Sequence, residues 1–130
     1  MKYILFVCTE NSARSQMAEA FFNHYNKNEG YAGISAGTSP VEGVKPLAIK
    51  AMKEKGIDMS GQKPKMLDSG MARTAERIFT MGCINGCPMT PPDKTVDWGL
   101  EDPAGKPIEK YREVRDEIER RVKKLVSEIQ

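Results

Sequence analysis

Five residues separate Cys8 from Arg14 in LFVCTENSARSQMAEAFF, where an apolar run gives way to a segment of helix-like spacing. A thiol at such a junction is placed for nucleophilic chemistry. A tight loop entering a helix turns backbone N–H groups inward and cradles anions. The helix amino terminus and an arginine guanidinium both favour the thiolate, which is the attacking form of the group. Arg14 has a second use, because its planar fork can grip two oxygens of a tetrahedral oxyanion. Thr9, Glu10, Asn11, Ser12, Ala13 and Ser15 complete the candidate cradle, and the Ser12 and Ser15 hydroxyls can reach the sulfur or the anion. Spacing alone fits equally well a small buried cysteine that ends a strand, since free cysteine is among the most buried residue types. Asp102, before Pro103, has the chemistry of a general acid and also that of an ordinary turn residue. Cys83 and Cys87 bring the thiols to three, an odd number that argues against a disulfide framework and for thiol chemistry or metal binding.

The elements that must position these groups are readable from periodicity. Residues 3–7 form an apolar run of strand length, the pattern of a parallel strand covered on both faces. Met17, Phe21 and Tyr25 fall four apart, with Ala18 and Phe22 widening the stripe, so a helix begins around Arg14. The pattern then predicts a strand at 31–35, a loop at 36–40 and a helix over 46–55 with Pro46 in its first turn and Gly56 as its stop. A short helix over 68–75 and strands at 77–81 and 95–98 follow. From Pro107 onward Ile108, Tyr111, Val114, Ile118, Val122, Leu125 and Ile129 recur at steps of three and four, which marks a long amphipathic helix. Strands alternating with helices make an α/β fold with a small parallel sheet wrapped by helices. Ligands bind such sheets beyond the carboxyl ends of the strands. Cys8, Cys83 and Asp102 each follow an expected strand, so they are expected to converge on one edge.

A chain of 130 residues is expected to form one catalytic domain, residues 1–130. The net charge is only +2, with both signs interleaved, which excludes the concentrated basic face of a nucleic-acid-binding protein. The first apolar run is too short for a secretory segment and no later stretch approaches a membrane span. The expectation is a cytoplasmic monomer with no membrane or nucleic-acid partner. Zinc generally takes four N or S ligands. Besides Cys83 and Cys87 only Cys8 and the single histidine, His24, remain. His24 is expected to face solvent from the first helix, and neither metal nor cofactor is expected.

The loop from Cys8 to Ser15 resembles the phosphate-binding loop of the low-molecular-weight protein tyrosine phosphatase fold: a cysteine, five residues, an arginine and a serine. The similarity extends to QMAEA at 16–20, SAG at 35–37, AIKAM at 48–52, CP at 87–88 with PP at 91–92, WGLEDPAGK at 98–106 and VRDEI at 114–118. In that order they look like the thioredoxin-coupled arsenate reductase branch of the family. The resemblance implies a three-layer α/β sandwich, a four-stranded parallel sheet flanked by helices, with no cofactor. It implies that Cys8 attacks arsenate, for which phosphate and sulfate are analogues, while Asp102 protonates the departing oxygen. Cys83 would then attack the Cys8 sulfur and release arsenite, Cys87 would attack Cys83, and a thioredoxin-like donor would reduce the final disulfide.

Three positions depart from the family's pattern. Only Ile84, Asn85 and Gly86 separate Cys83 from Cys87, fewer than usual. Glu10 stands where glycine is common, which brings a carboxylate close to an anion site. Lys65 aligns with an acid that, beside residues matching Asn11, Glu19 and Ser35, binds potassium in some members, so an ammonium is expected in the cation's place. The competing reading is a phosphatase of the same fold, which needs only Cys8, Arg14 and Asp102. The Ala104-Gly105-Lys106 that follows Asp102-Pro103 lacks the aromatic residues such enzymes use to hold a substrate ring. A reading of another class is a metal-binding or redox-sensing module built on Cys83 and Cys87.

Overall fold

A computed structural model describes residues 1–82 and 90–129. Cys83 and Cys87 lie outside the described residues. Four parallel strands form one sheet in the order β2-β1-β3-β4: β1 is Lys2–Cys8, β2 is Tyr31–Gly37, β3 is Ala75–Thr80 and β4 is Thr95–Asp97. The helices are α1 (Arg14–Tyr25), α2 (Pro46–Lys53), α3 (Ser69–Thr74) and α4 (Ile108–Ile129), and a single 3-10 turn, Pro92–Lys94, leads into β4. The expected alternation is therefore present.

Alternation along β1 divides the core. Ile4, Phe6 and Cys8 face α1, α2 and α4, while Leu5 and Val7 face the layer containing α3 with Leu67, Ala72 and Ile78. Both faces of β1 are covered, which is why its sequence is continuously apolar. Phe6 packs with Phe22, Phe79 and Trp98 at ring separations of 6.1, 5.9 and 5.9 Å. That cluster pins the start of the 98–102 segment to the sheet, and Trp98 N–H donates to the Thr80 carbonyl at 2.8 Å. On α4 the buried residues are Tyr111, Val114, Arg115, Ile118, Val122, Leu125 and Val126, so the predicted stripe is the packed one with a buried arginine added to it.

Several element ends differ by a residue or two from the sequence expectation, and two of the differences lengthen strands. Ala36 and Gly37, read as the start of a loop, are the last residues of β2, and Gly37 pairs with Cys8. Ala75, read as a helix end, is the first residue of β3, directly after α3. Gly56 does close the α2 turn, in the left-handed region at φ 76°. Among the described residues no helix is long and apolar enough to cross a membrane.

Candidate active site

Parallel strands put their carboxyl ends on one edge, and there the chain brings together Cys8 after β1, Met81 and Gly82 after β3, and residues 98–102 after β4. The loop from Cys8 wraps its own sulfur. Cys8 is only 3% exposed, its Sγ lies 2.8 Å from Ser15 Oγ, and Asn11 N–H donates to it at 3.1 Å. Asn11 Nδ2 donates to Ser15 Oγ at 2.7 Å. The Asn11 N–H and the Ser15 hydroxyl thus both hydrogen-bond the Cys8 sulfur, and Asn11 ties the hydroxyl in place.

Asn11 is the keystone of the loop and stands at φ 52°, in the left-handed region that asparagine tolerates better than most residues. Its Oδ1 accepts from Gln16 Nε2 at 3.0 Å and from the Lys65 N–H at 2.8 Å. Gln16 Nε2 also donates to the carbonyls of Asn11 and Lys63. Among the described residues no protein group accepts the N–H groups of Glu10, Ser12, Ala13 or Arg14. Unpaired N–H groups at the start of α1 are the donors an oxyanion requires.

Arg14 is 9% exposed and reaches across to the neighbouring strand ends. Its Nη1 donates to the Met81 carbonyl and, at 2.9 Å, to the Leu100 carbonyl. Among the described residues no protein hydrogen bond reaches the opposite edge of the fork, Nε and Nη2, and Asp102 Oδ2 stands 3.7 Å from Nη2. Asp102 is half exposed, and its Oδ1 accepts the Ala104 N–H at 3.0 Å. Cys8, Glu10, Ser12, Ala13, Arg14 and Asp102 line a small pocket that opens to solvent. A larger groove of about 310 Å³ lies between α4 and the β3–β4 edge, but it does not contain the Cys8 thiol.

The remaining expected groups separate clearly. Ser12 turns from the sulfur and donates its hydroxyl to Glu10 Oε1 at 3.2 Å. Thr9 is exposed, and its carbonyl accepts the Ser39 N–H. Glu10 borders the cavity as expected, but Lys45 Nζ lies 3.5 Å from its carboxylate and compensates the charge. Lys65 Nζ lies 3.6 Å from Glu19 Oε1, which also accepts the Ser35 hydroxyl at 2.8 Å, so an ammonium occupies that cluster. His24 is exposed and sits edge-on to Tyr25. Lys45 carried no sequence signal, because its part depends on Glu10, which is remote along the chain.

The model of the low molecular weight phosphotyrosine protein phosphatase family matches residues 3–85. An arsenate reductase of Bacillus cereus (strain AH187) is 45% identical over 131 residues, covering 95% of this chain and 93% of that protein. A solved arsenate reductase in the phosphate binding state superposes with a TM-score of 0.87 at 36% identity and full coverage of both chains. An arginine phosphatase from Geobacillus stearothermophilus also gives 0.87, at 31% identity, covering 100% of this chain and 94% of the other.

Proposed function

The chain belongs to the low molecular weight phosphotyrosine protein phosphatase family, and from that premise we propose that it is an arsenate reductase working as a single catalytic domain. The observation that carries the site assignment is the Cys8 sulfur, hydrogen-bonded by the Asn11 N–H and the Ser15 hydroxyl beside unpaired N–H groups and the free edge of Arg14. Arsenate binds with its oxygens on the loop N–H groups and on Arg14 Nε and Nη2. The Cys8 thiolate attacks arsenic, an As–S bond forms, and one As–O bond breaks as Asp102 protonates the oxygen that leaves as water.

Reduction needs two electrons, and thiols supply them. Cys83 attacks the Cys8 sulfur, the As–S electron pair passes to arsenic, and arsenite is released. Cys87 then attacks the Cys83 sulfur and frees the Cys8 thiolate. A thioredoxin-like dithiol reduces the Cys83–Cys87 disulfide, a cycle suited to a monomer in a reducing cytoplasm.

Phosphate ester hydrolysis is the competing reading, favoured by the observation that its three groups, Cys8, Arg14 and Asp102, already stand together. The deciding experiment follows arsenate reduction with a thioredoxin system beside hydrolysis of an aryl phosphate and of phosphoarginine. The expected result is arsenate-dependent turnover, with Cys87→Ser stopping after one cycle and trapping a Cys8–Cys83 disulfide that peptide mapping detects. Phosphate ester turnover without arsenate-dependent disulfide formation would give the site to the phosphatase.

A further inference from the structure

We infer that Asp97 is a positioning residue for Arg14, acting through a single peptide group. Asp97 ends β4 opposite Thr80. One carboxylate oxygen, Oδ1, accepts from Thr80 Oγ1 at 2.9 Å, from the Gly82 N–H at 2.9 Å and from the Gly99 N–H at 3.2 Å. The Gly82 N–H and the Met81 carbonyl belong to the same planar peptide unit. The carbonyl end of that unit accepts from Arg14 Nη1. A negative carboxylate therefore holds one end of a peptide plane whose other end holds the guanidinium. Hydrogen bonds in such a chain polarise one another, so the carboxylate both fixes the plane and strengthens the carbonyl as an acceptor.

The surrounding backbone fits this arrangement. Gly82 adopts φ 94° and Gly99 φ 58°, conformations that suit glycine and let both N–H groups meet one oxygen. A Cβ on Gly82 would stand 3.0 Å from the Leu100 carbonyl oxygen and 3.5 Å from Arg14 Nη1. Leu100 supplies the second carbonyl to the same Nη1, and Gly99 precedes it. Asp97 thus gathers the glycine beside each of the two residues that seat Arg14. With Nη1 fixed, Nη2 faces Asp102 at the pocket that Cys8 also lines, while the strand order puts Asp97 itself beyond β3.

The inference rests on Arg14 as the oxyanion-binding group of the proposed function, so its test includes a measurement that needs neither arsenate nor turnover. Inorganic phosphate is titrated by calorimetry into wild type, Asp97→Ala, Asp97→Asn and Thr80→Val, with thermal unfolding measured on each. Loss of a charged acceptor should raise the phosphate dissociation constant about tenfold in Asp97→Ala. The neutral amide oxygen of Asp97→Asn should restore part of the affinity. Thr80→Val removes a bond to the same carboxylate without touching the peptide group, and should lower stability while leaving phosphate affinity unchanged. The Arg14 guanidinium N–H resonances should be resolved and slow to exchange in wild type without ligand, and broadened or lost in Asp97→Ala. Phosphate affinity and Arg14 resonances that both stay at wild-type values in Asp97→Ala would overturn the inference, and so would an Asp97→Ala effect that Thr80→Val reproduces. If Asp97→Ala does not fold, Asp97→Asn decides, with unchanged affinity and unchanged Arg14 exchange counting against. Normal phosphate binding without arsenate reduction would remove the reductase reading alone.

Discussion

When Cys8 reacts as a thiolate its sulfur carries no hydrogen, so the 2.8 Å bond with Ser15 Oγ is then donated by the hydroxyl, which also accepts from Asn11 Nδ2. Ser15→Ala should remove one of the two donors and slow iodoacetamide alkylation of Cys8 at neutral pH about tenfold, since a hydrogen bond to a charged group contributes about 1.5–3 kcal/mol. An unchanged rate would show that the hydrogen points elsewhere. Glu10 gives a second prediction. The Glu10–Lys45 pair is partly exposed, so its own contribution to stability is small, roughly 0–1 kcal/mol. Its effect on a bound dianion is of similar size and separately measurable, because Lys45 compensates a carboxylate that borders the cavity. Lys45→Met should weaken phosphate binding about threefold at low salt, and adding Glu10→Gln should reverse the loss. Calorimetry at two ionic strengths reads the coupling, and independent effects of the two changes would show that the Glu10 charge does not reach the anion. The Cys8, Arg14 and Asp102 constellation was legible because spacing and strand ends determine it. Lys45 and Asp97 were not, because only the folded chain puts them beside Glu10 and the Met81–Gly82 peptide.

At the scale of elements, β2 and the thiol loop touch so closely that Gly37 has no substitute. A Cβ there would lie 2.6 Å from the Thr9 carbonyl oxygen and 2.9 Å from Asn11 Cβ, so Gly37→Ala should displace the loop, cut the Cys8 alkylation rate and lower the melting temperature together. Wild-type alkylation in that variant would show that the loop tolerates the shift. Composition marked Gly37 as a turn residue, but close backbone approach calls for glycine inside a strand. The junction of α2 and α4 gives a pH prediction. Hydrogen bonds from Arg112 and then Arg115 lower the Glu54 carboxyl from its ordinary 4.5 to about 2. The folded state therefore binds fewer protons than the unfolded state in that interval, and stability rises with pH. The contribution is complete above about 4.5 and is lost as pH falls toward 2. Glu54→Gln should flatten the urea midpoint against pH across this window, and an undiminished slope would assign the acid sensitivity to other carboxylates, such as Glu117, which Arg120 and Arg121 also lower to about 2. Periodicity on α4 announced its apolar stripe but not Arg115, which is buried because the Ala51 carbonyl, Glu54 and Asp116 all accept from it.

For the whole molecule, the alternation of strands and helices was enough to anticipate one parallel sheet with its chemistry on the carboxyl edge. Sheet order was not readable, because the neighbours of β1 are chosen by packing between layers and not by any local pattern. The same edge carries a kinetic consequence. The pocket above the thiol is small and open, and Asp102 lies on its border, half exposed and 3.7 Å from Arg14 Nη2. An arriving anion meets that carboxylate on its way to the guanidinium, so the exchange of one ionic partner for another belongs to the binding step. In stopped-flow mixing Asp102→Ala should raise the association rate constant for phosphate, by a margin that shrinks as salt screens the charge. An unchanged rate would show that the anion reaches Arg14 without displacing Asp102. The residue proposed to donate the proton thereby also meters how often the thiol sees its substrate.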